Sequence, residues 1–148
     1  MIALLQRVVS SSVSVDGVQI AGIGPGLLVL VAFEPNDNDQ SIATMLKKIT
    51  RYRVFSDPDG KMNLSLMDVG GELLIVPQFT LAADTRRGLR PSFSKAASPA
   101  DGLRLFDTMV SQAEAIGCPL ATGQFGADMQ VQLINDGPVT FWLQNSPG

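Results

Sequence analysis

Two stretches of this chain leave little freedom for the fold. "GLLVLVAF" at 26–33 and "ELLIV" at 72–76 are nearly unbroken apolar runs. Successive strand residues point to opposite faces, so a strand that is apolar at every position is buried on both. Both runs therefore read as interior strands, the second ending near Pro77. Residues 2–9, "IALLQRVV", read as a further strand, and 11–23 as a hairpin turning at Asp16-Gly17, a pair suited to a tight primed turn. Gly24-Pro25-Gly26 reads as a plain turn, because no Lys-Ser/Thr follows it as a phosphate loop requires.

Two segments carry helical periodicity instead. Ile42, Met45, Leu46 and Ile49 fall at i, i+3, i+4 and i+7, with Asn and Asp ahead of them as caps. In the second helix Ser98 is the N-cap, Pro99 sits at N1 and Asp101 completes a capping-box pattern. Leu103, Phe106, Val110 and Ala113 form its expected buried stripe, and Gly117 and Pro119 end it. "SDPDGKMN" is a turn cluster, and 82–97 reads as a long loop, a feature that is often functional. Short strands are expected around 120–125, 129–134 and 139–144. Strands with two helices in separate places make the chain α+β, one domain over residues 1–148.

Composition narrows the chemistry. There is no histidine and one cysteine, Cys118. Ser-His-Asp and Cys-His catalysis are excluded, and no metal site is expected. Cys118 reads as a small buried hydrophobe, and a lone cysteine fits a reducing cytoplasm. The N-terminus lacks a basic n-region and a cleavage site and reads as a strand. No apolar run is long enough to span a bilayer. The net charge of −3 argues against coating long nucleic acids but not against gripping one RNA end. Arg86, Arg87, Arg90 and Lys95 form the densest basic patch. Lys47, Lys48, Arg51 and Arg53 form a weaker one that reads rather as the wet face of a helix.

Two further stretches stand out. "PQFTL", 77–81, lies where a strand runs into the long loop. Gln78 donates and accepts hydrogen bonds, Thr80 offers a hydroxyl, and backbone N–H groups at such a place can form an oxyanion site. "NDGPVT", 135–140, places Gly137-Pro138 between two good strands, although neither residue suits a ladder. A strand–turn–strand connection is one reading. The other is a fixed cis bond whose two carbonyls point the same way, an acceptor pair for an ammonium group.

The strings "MIALLQRV", "FSDPDGKMNLSL", "QFTLAADTRRGLRPSFSKAASP" and "ADMQVQLINDGPVTFWL" resemble the D-aminoacyl-tRNA (D-tyrosyl-tRNA) deacylases, in the same order and over essentially the whole chain. The resemblance implies mixed β-sheets forming a barrel-like core with two main flanking helices. It also implies a cytoplasmic homodimer without cofactor that hydrolyses the ester joining a D-amino acid, or mischarged glycine, to the 3′-terminal adenosine of tRNA. Gly137-Pro138 would project into the other subunit's site, receive the substrate's α-amino group and exclude an L side chain. Arg7 would orient that element and Met129 would line the neighbouring wall. Gln78, Phe79 and Thr80 would form the catalytic stretch, with the N–H groups of Phe79 and Thr80 facing the developing oxyanion and the ribose 2′-OH helping to activate water. Arg86, Arg87 and Arg90 would hold the acceptor end. Where the family usually has Ser before the Gln, this chain has Pro77, so any role of that hydroxyl or N–H is absent. A non-catalytic dimeric module for small amines or RNA ends, and a hydrolase of another aminoacyl ester, remain as alternatives.

Overall fold

The computed structural model of the chain describes residues 1–146. Strand β1 (Ile2–Val15) turns at Asp16-Gly17, both at positive φ, into β2 (Val18–Ile23). Then come β3 (Gly26–Ala32), helix α1 (Asp39–Arg51), the small hairpin β4 (Phe55–Ser56) and β5 (Met62–Leu64), and the single helical turn α2 (Leu66–Val69). Strand β6 (Glu72–Pro77) runs into a 3-10 turn (Phe79–Ala82), followed by α3 (Pro99–Ile116), β7 (Leu120–Thr122) and β8 (Gln130–Gln144). The first half of β1 pairs antiparallel with β3 and its second half with β2, while β8 runs along its other edge. β3 and β6 pair in parallel from Gly26↔Glu72 to Val31↔Pro77, and β7 adds in parallel to β6. The result is α+β, a mixed sheet nearly closed into a barrel, with α1 and α3 as the two main helices.

The two apolar runs form β3 and β6, and both are buried on both faces. Leu27, Val29, Val31, Leu73 and Ile75 meet Ile42, Met45, Leu46 and Ile49 of α1, and Leu105, Phe106 and Met109 of α3, in one core. Leu28, Leu74 and Val76 face the other way, into a second core closed by Val8, Val13, Ile23, Val131 and Leu133 inside the curl of the sheet. The predicted stripe of α1 is thus buried in full. Its N-cap is Asn38, which makes a reciprocal capping box with Ser41.

Three expectations are corrected. Helix α3 begins at Ser98 as predicted, with Ser98 accepting from the Asp101 N–H and Pro99 in its first turn. Asp101, however, returns no bond to Ser98 among the described residues, and the capping box is half made. The buried face of the helix is Gly102, Leu105, Phe106, Met109 and Ala113. Leu103 is 45% exposed and Val110 only half-buried. The helix is rolled by about one residue because Gly102 meets Phe125, whose ring would lie 3.1 Å from a Cβ there. The loop 82–97 is less open than its sequence suggests, since Asp84 and Ser92 bridge as a pair of antiparallel residues. The last two predicted strands are one, β8. Both flanks of Gly137-Pro138 pair with the same partner, β1: Val8 faces Asn135 and Gln6 faces Thr140, so Asp136–Val139 bulge out opposite the single residue Arg7.

The rolled face of α3 is testable. Phe106→Ala is expected to cost about 3–5 kcal/mol as a large-to-small core change, and Leu103→Ala to stay within about 0.5 kcal/mol. Urea unfolding of the two variants measures the difference, and comparable losses would contradict this packing.

Candidate active site

Because β3 and β6 are parallel, their C-terminal ends lie together. A cleft of about 630 Å³ opens there, lined by Val31–Phe33, Val76–Phe79, Phe93, the start of α3 and residues 125–129. Its walls are mainly apolar. Met129 is part of its wall, and the sulfur of Met129 accepts from the Gln124 N–H at 3.4 Å. Gly123 underlies this wall. A Cβ there would sit 2.9 Å from the Met129 sulfur and 3.3 Å from the Pro77 ring, so the approach of β7, β6 and Met129 depends on its missing side chain. Pro77 itself is in register with Val31 at the end of β6, where the absence of an N–H is tolerated.

Gln78 and Phe79 also line the cleft, with Thr80 following in the same 3-10 turn. The Gln78 N–H donates to the Val31 carbonyl at 2.7 Å, which fixes the turn to the end of β3. The Gln78 side-chain amide donates to the Thr80 hydroxyl. First-turn N–H groups have no partner within their own helix, and those of Phe79 and Thr80 have no acceptor elsewhere among the described residues. Two free amides therefore follow one another at the cleft. Phe79 is exposed and packs on Phe93, ring centroids 5.1 Å apart, which ties the long loop to this edge.

Gly137 and Pro138 lie elsewhere. Their peptide bond is cis, and Gly137 has φ +138°, a region that favours glycine. A Cβ on Gly137 would fall 2.6 Å from the Val139 Cγ2. Arg7, whose side chain is 12% exposed, clamps the bulge: its Nε donates to the Asp136 carbonyl at 3.1 Å and its Nη1 to the Val54 carbonyl at 2.7 Å. The Asp136 carboxylate adds an ion pair at 3.4 Å. Asn135 closes the bulge from within, its side-chain oxygen accepting from the Val139 N–H at 2.7 Å. The pairing of Arg7 with Leu27 sets this element near the N-terminal end of β3, whereas the cleft sits at Ala32. Five residues of strand, roughly 17 Å, separate the two.

The predicted basic loop divides. Arg86 forms a two-pronged pair with Asp84, Nε to Oδ1 at 2.9 Å and Nη2 to Oδ2 at 2.8 Å, so its charge is spent inside the loop. Arg87 and Arg90 make no ion pair among the described residues and stand exposed beside Leu89 at the tip. The structure thus brings Gln78, Phe79 and Met129 to one cleft with Thr80 beside them. It gathers Arg7, Gly137 and Pro138 at the other end of the sheet. Gly123 and Asn135 are positioning residues that the sequence reading missed. Asn before Asp-Gly-Pro carries a weak turn signal; an isolated Gly gives none.

The side-chain and backbone hydrogen bonds from Arg86 hold the Asp84 carboxyl far below the usual carboxylate range. A carboxyl depressed in the folded state contributes order above its unfolded value, about 3.9, and loses that contribution as pH falls further. Asp84→Asn is therefore expected to speed amide exchange at Ser92 at neutral pH. The gap between variant and parent should close as pH drops below about 4, and a pH-independent gap would contradict the pairing.

The family described as D-Tyr-tRNA(Tyr) deacylase matches residues 4–144. A D-aminoacyl-tRNA deacylase of Pseudomonas putida is 61% identical over 141 residues, covering 95% of this chain and 97% of its own. One of Aeromonas hydrophila is 56% identical over 144 residues, with 97% and 99% covered. Among solved structures, the c-Myc DNA unwinding element binding protein superposes with a TM-score of 0.94 at 37% identity, over 99% of this chain and 100% of its own. A probable eukaryotic D-amino acid tRNA deacylase superposes at 0.82 with 18% identity, over 96% and 97%, and shares the fold. With its match to the family running from β1 to the end of β8, this chain belongs to the D-Tyr-tRNA(Tyr) deacylases.

Proposed function

We propose that this protein is a D-aminoacyl-tRNA deacylase, a carboxylic ester hydrolase of the cytoplasm that frees tRNA from D-amino acids and from mischarged glycine. The observation that carries the reading is the pair of free amides at Phe79 and Thr80 beside an apolar cleft, in a chain more than half identical to proteins of that name. The ester carbonyl sits against these amides. Water adds to the carbonyl carbon, charge gathers on the oxygen facing the two N–H groups, and the ribose 3′-oxygen leaves with a proton. Preorganised amides at such a point stabilise the developing charge without titrating. Gln78 keeps the turn in place through Thr80, and the vicinal 2′-OH helps activate the water. An aminoacyl ester is reactive enough for positioning and charge stabilisation to suffice.

Chirality is read by the other end of the sheet. Because the Gly137-Pro138 element lies five strand residues from its own cleft, it serves the cleft of a second copy, and the protein works as a homodimer. There the carbonyls of Gly137 and Pro138 accept from the substrate ammonium. With ammonium and ester both fixed, a D side chain points to solvent, while an L side chain meets the Gly-Pro wall. A clash of this kind discriminates more strongly than a missing methylene contact, worth about 1–3 kcal/mol.

Single-turnover deacylation of Gly-, D-Ala- and L-Ala-tRNA tests the wall: the first two are expected to be cleaved and the third spared. Equal rates for L-Ala and D-Ala, or refusal of glycine, would overturn it. Light scattering at micromolar concentration is expected to give the mass of two chains. A single-chain mass with deacylation intact would remove the cross-subunit reading and leave the amide site standing.

A further inference from the structure

The basic residues are gathered rather than spread. Of eleven Lys and Arg, four are on the loop beside the cleft, Arg86, Arg87, Arg90 and Lys95. Another four, Lys47, Lys48, Arg51 and Arg53, are exposed on the last turns of α1 and just beyond. This second group forms no ion pair among the described residues. Arg53 donates to the Asn63 side chain at 3.3 Å and acts from a distance on Asp68. Lys48 lies over the Tyr52 ring, 5.7 Å from its centroid.

The group is also joined to the Gly-Pro element. Val54, one residue past Arg53, gives its carbonyl to Arg7, and the same guanidinium holds the Asp136 carbonyl. Tyr52 meets Phe141 of β8 edge-on at 5.6 Å. Arg51 is three residues from Val54, at most about 11 Å of extended chain. Wherever Gly137-Pro138 is delivered, the end of α1 goes with it as one rigid unit.

We propose that Lys47, Lys48, Arg51 and Arg53 form a phosphate-binding surface for the 3′-terminal strand of the tRNA seated in the partner subunit's cleft. The inference rests on the cross-subunit reading above and extends it: each RNA end is held between two subunits. The loop beside the cleft grips it from one side, and the α1 end of the subunit that donates Gly137-Pro138 grips it from the other. A dimer of this kind brings together two patches that are about a sheet length apart in one chain. A net charge of −3 is then no obstacle, because Arg87 and Arg90 on one side and the α1 group on the other, none of them in an ion pair among the described residues, face the RNA.

The test replaces Lys47, Lys48 and Arg51 together with Gln; all three are exposed and none makes an ion pair among the described residues. With full-length D-Ala-tRNA, KM is expected to rise about tenfold at moderate salt. The slope of log(kcat/KM) against log salt should become shallower by about 2, at roughly 0.7 for each single-strand phosphate that is no longer neutralised. D-alanyl-adenosine, which has no phosphates, should be cleaved as by the parent. An unchanged KM for tRNA would make the patch a solvated helix face, and an equal fall in activity on both substrates would mean that the Gly-Pro element had shifted; either result overturns the proposal. A parent protein that cleaves neither substrate would instead refute the deacylase reading itself. Mixed dimers decide the arrangement. The triple variant is paired with a subunit whose cleft is filled by Ala127→Trp, so the surviving cleft faces an intact patch on its partner. Parental KM at those sites supports the trans grip, and the KM of the triple variant rejects it.

Discussion

The parallel pairing of β3 with β6, apolar on both faces, is the constraint from which the rest follows. A parallel pair needs a crossover between its strands, and here that crossover contains α1, which covers one face. The other face is covered when β2 and the first half of β8 curl over it, which is why the sheet nearly closes on itself. Parallel strands also end together, and their shared C-terminal edge is the open end of the structure. The cleft, the free amides of Phe79 and Thr80, and the N-terminus of α3 all collect there, as ligand sites do at the carboxyl ends of parallel strands in open α/β sheets. The same geometry leaves the Arg7 clamp at the far edge.

Local pattern was enough where one face of one element decided the outcome. The stripe of α1, the Asp16-Gly17 turn and the doubly buried strands could all be read from residue spacing. It was not enough where a distant partner decided. Leu103 and Leu105 are both apolar, and the close approach of Gly102 to Phe125, with the packing of the rest of the helix on the core, decides which of them turns inward. Gly137-Pro138 reads locally as a break in strand structure, yet both sides pair with β1, about 130 residues away in sequence. Among the candidate residues, Gln78, Phe79 and Met129 stand out in the sequence, and the fold brings them to one cleft. Gly123, which matters only for what it lacks, was not.

Under the proposed reading, a chain without histidine is equipped for ester chemistry. The groups gathered at the cleft and on the bulge are chiefly amides, carbonyls, a hydroxyl and apolar walls, and their usefulness depends on placement rather than on a proton poised near neutrality. Placement in turn depends on ordinary packing. The Val31 carbonyl that fixes Gln78 belongs to the same strand as the Leu27, Val29 and Val31 side chains of the main core.

The bulge has a role in the architecture that is separate from any ligand. At its end Val139, and beyond it Phe141 and Leu143, point into the core beneath the helices; upstream, Val131 and Leu133 point into the second core on the opposite side of the central sheet. All five are odd-numbered, so an uninterrupted strand would direct them to one side. Bulging Asp136–Val139 opposite Arg7, together with the extra residue Val9 in β1, reverses the facing of the ribbon midway, as a one-residue slip does. The Gly-Pro segment therefore acts as a phase inverter. Straightening it into a regular strand without removing residues would turn one half of β8 inside out, which ties the segment proposed to read the substrate to the closure of the barrel.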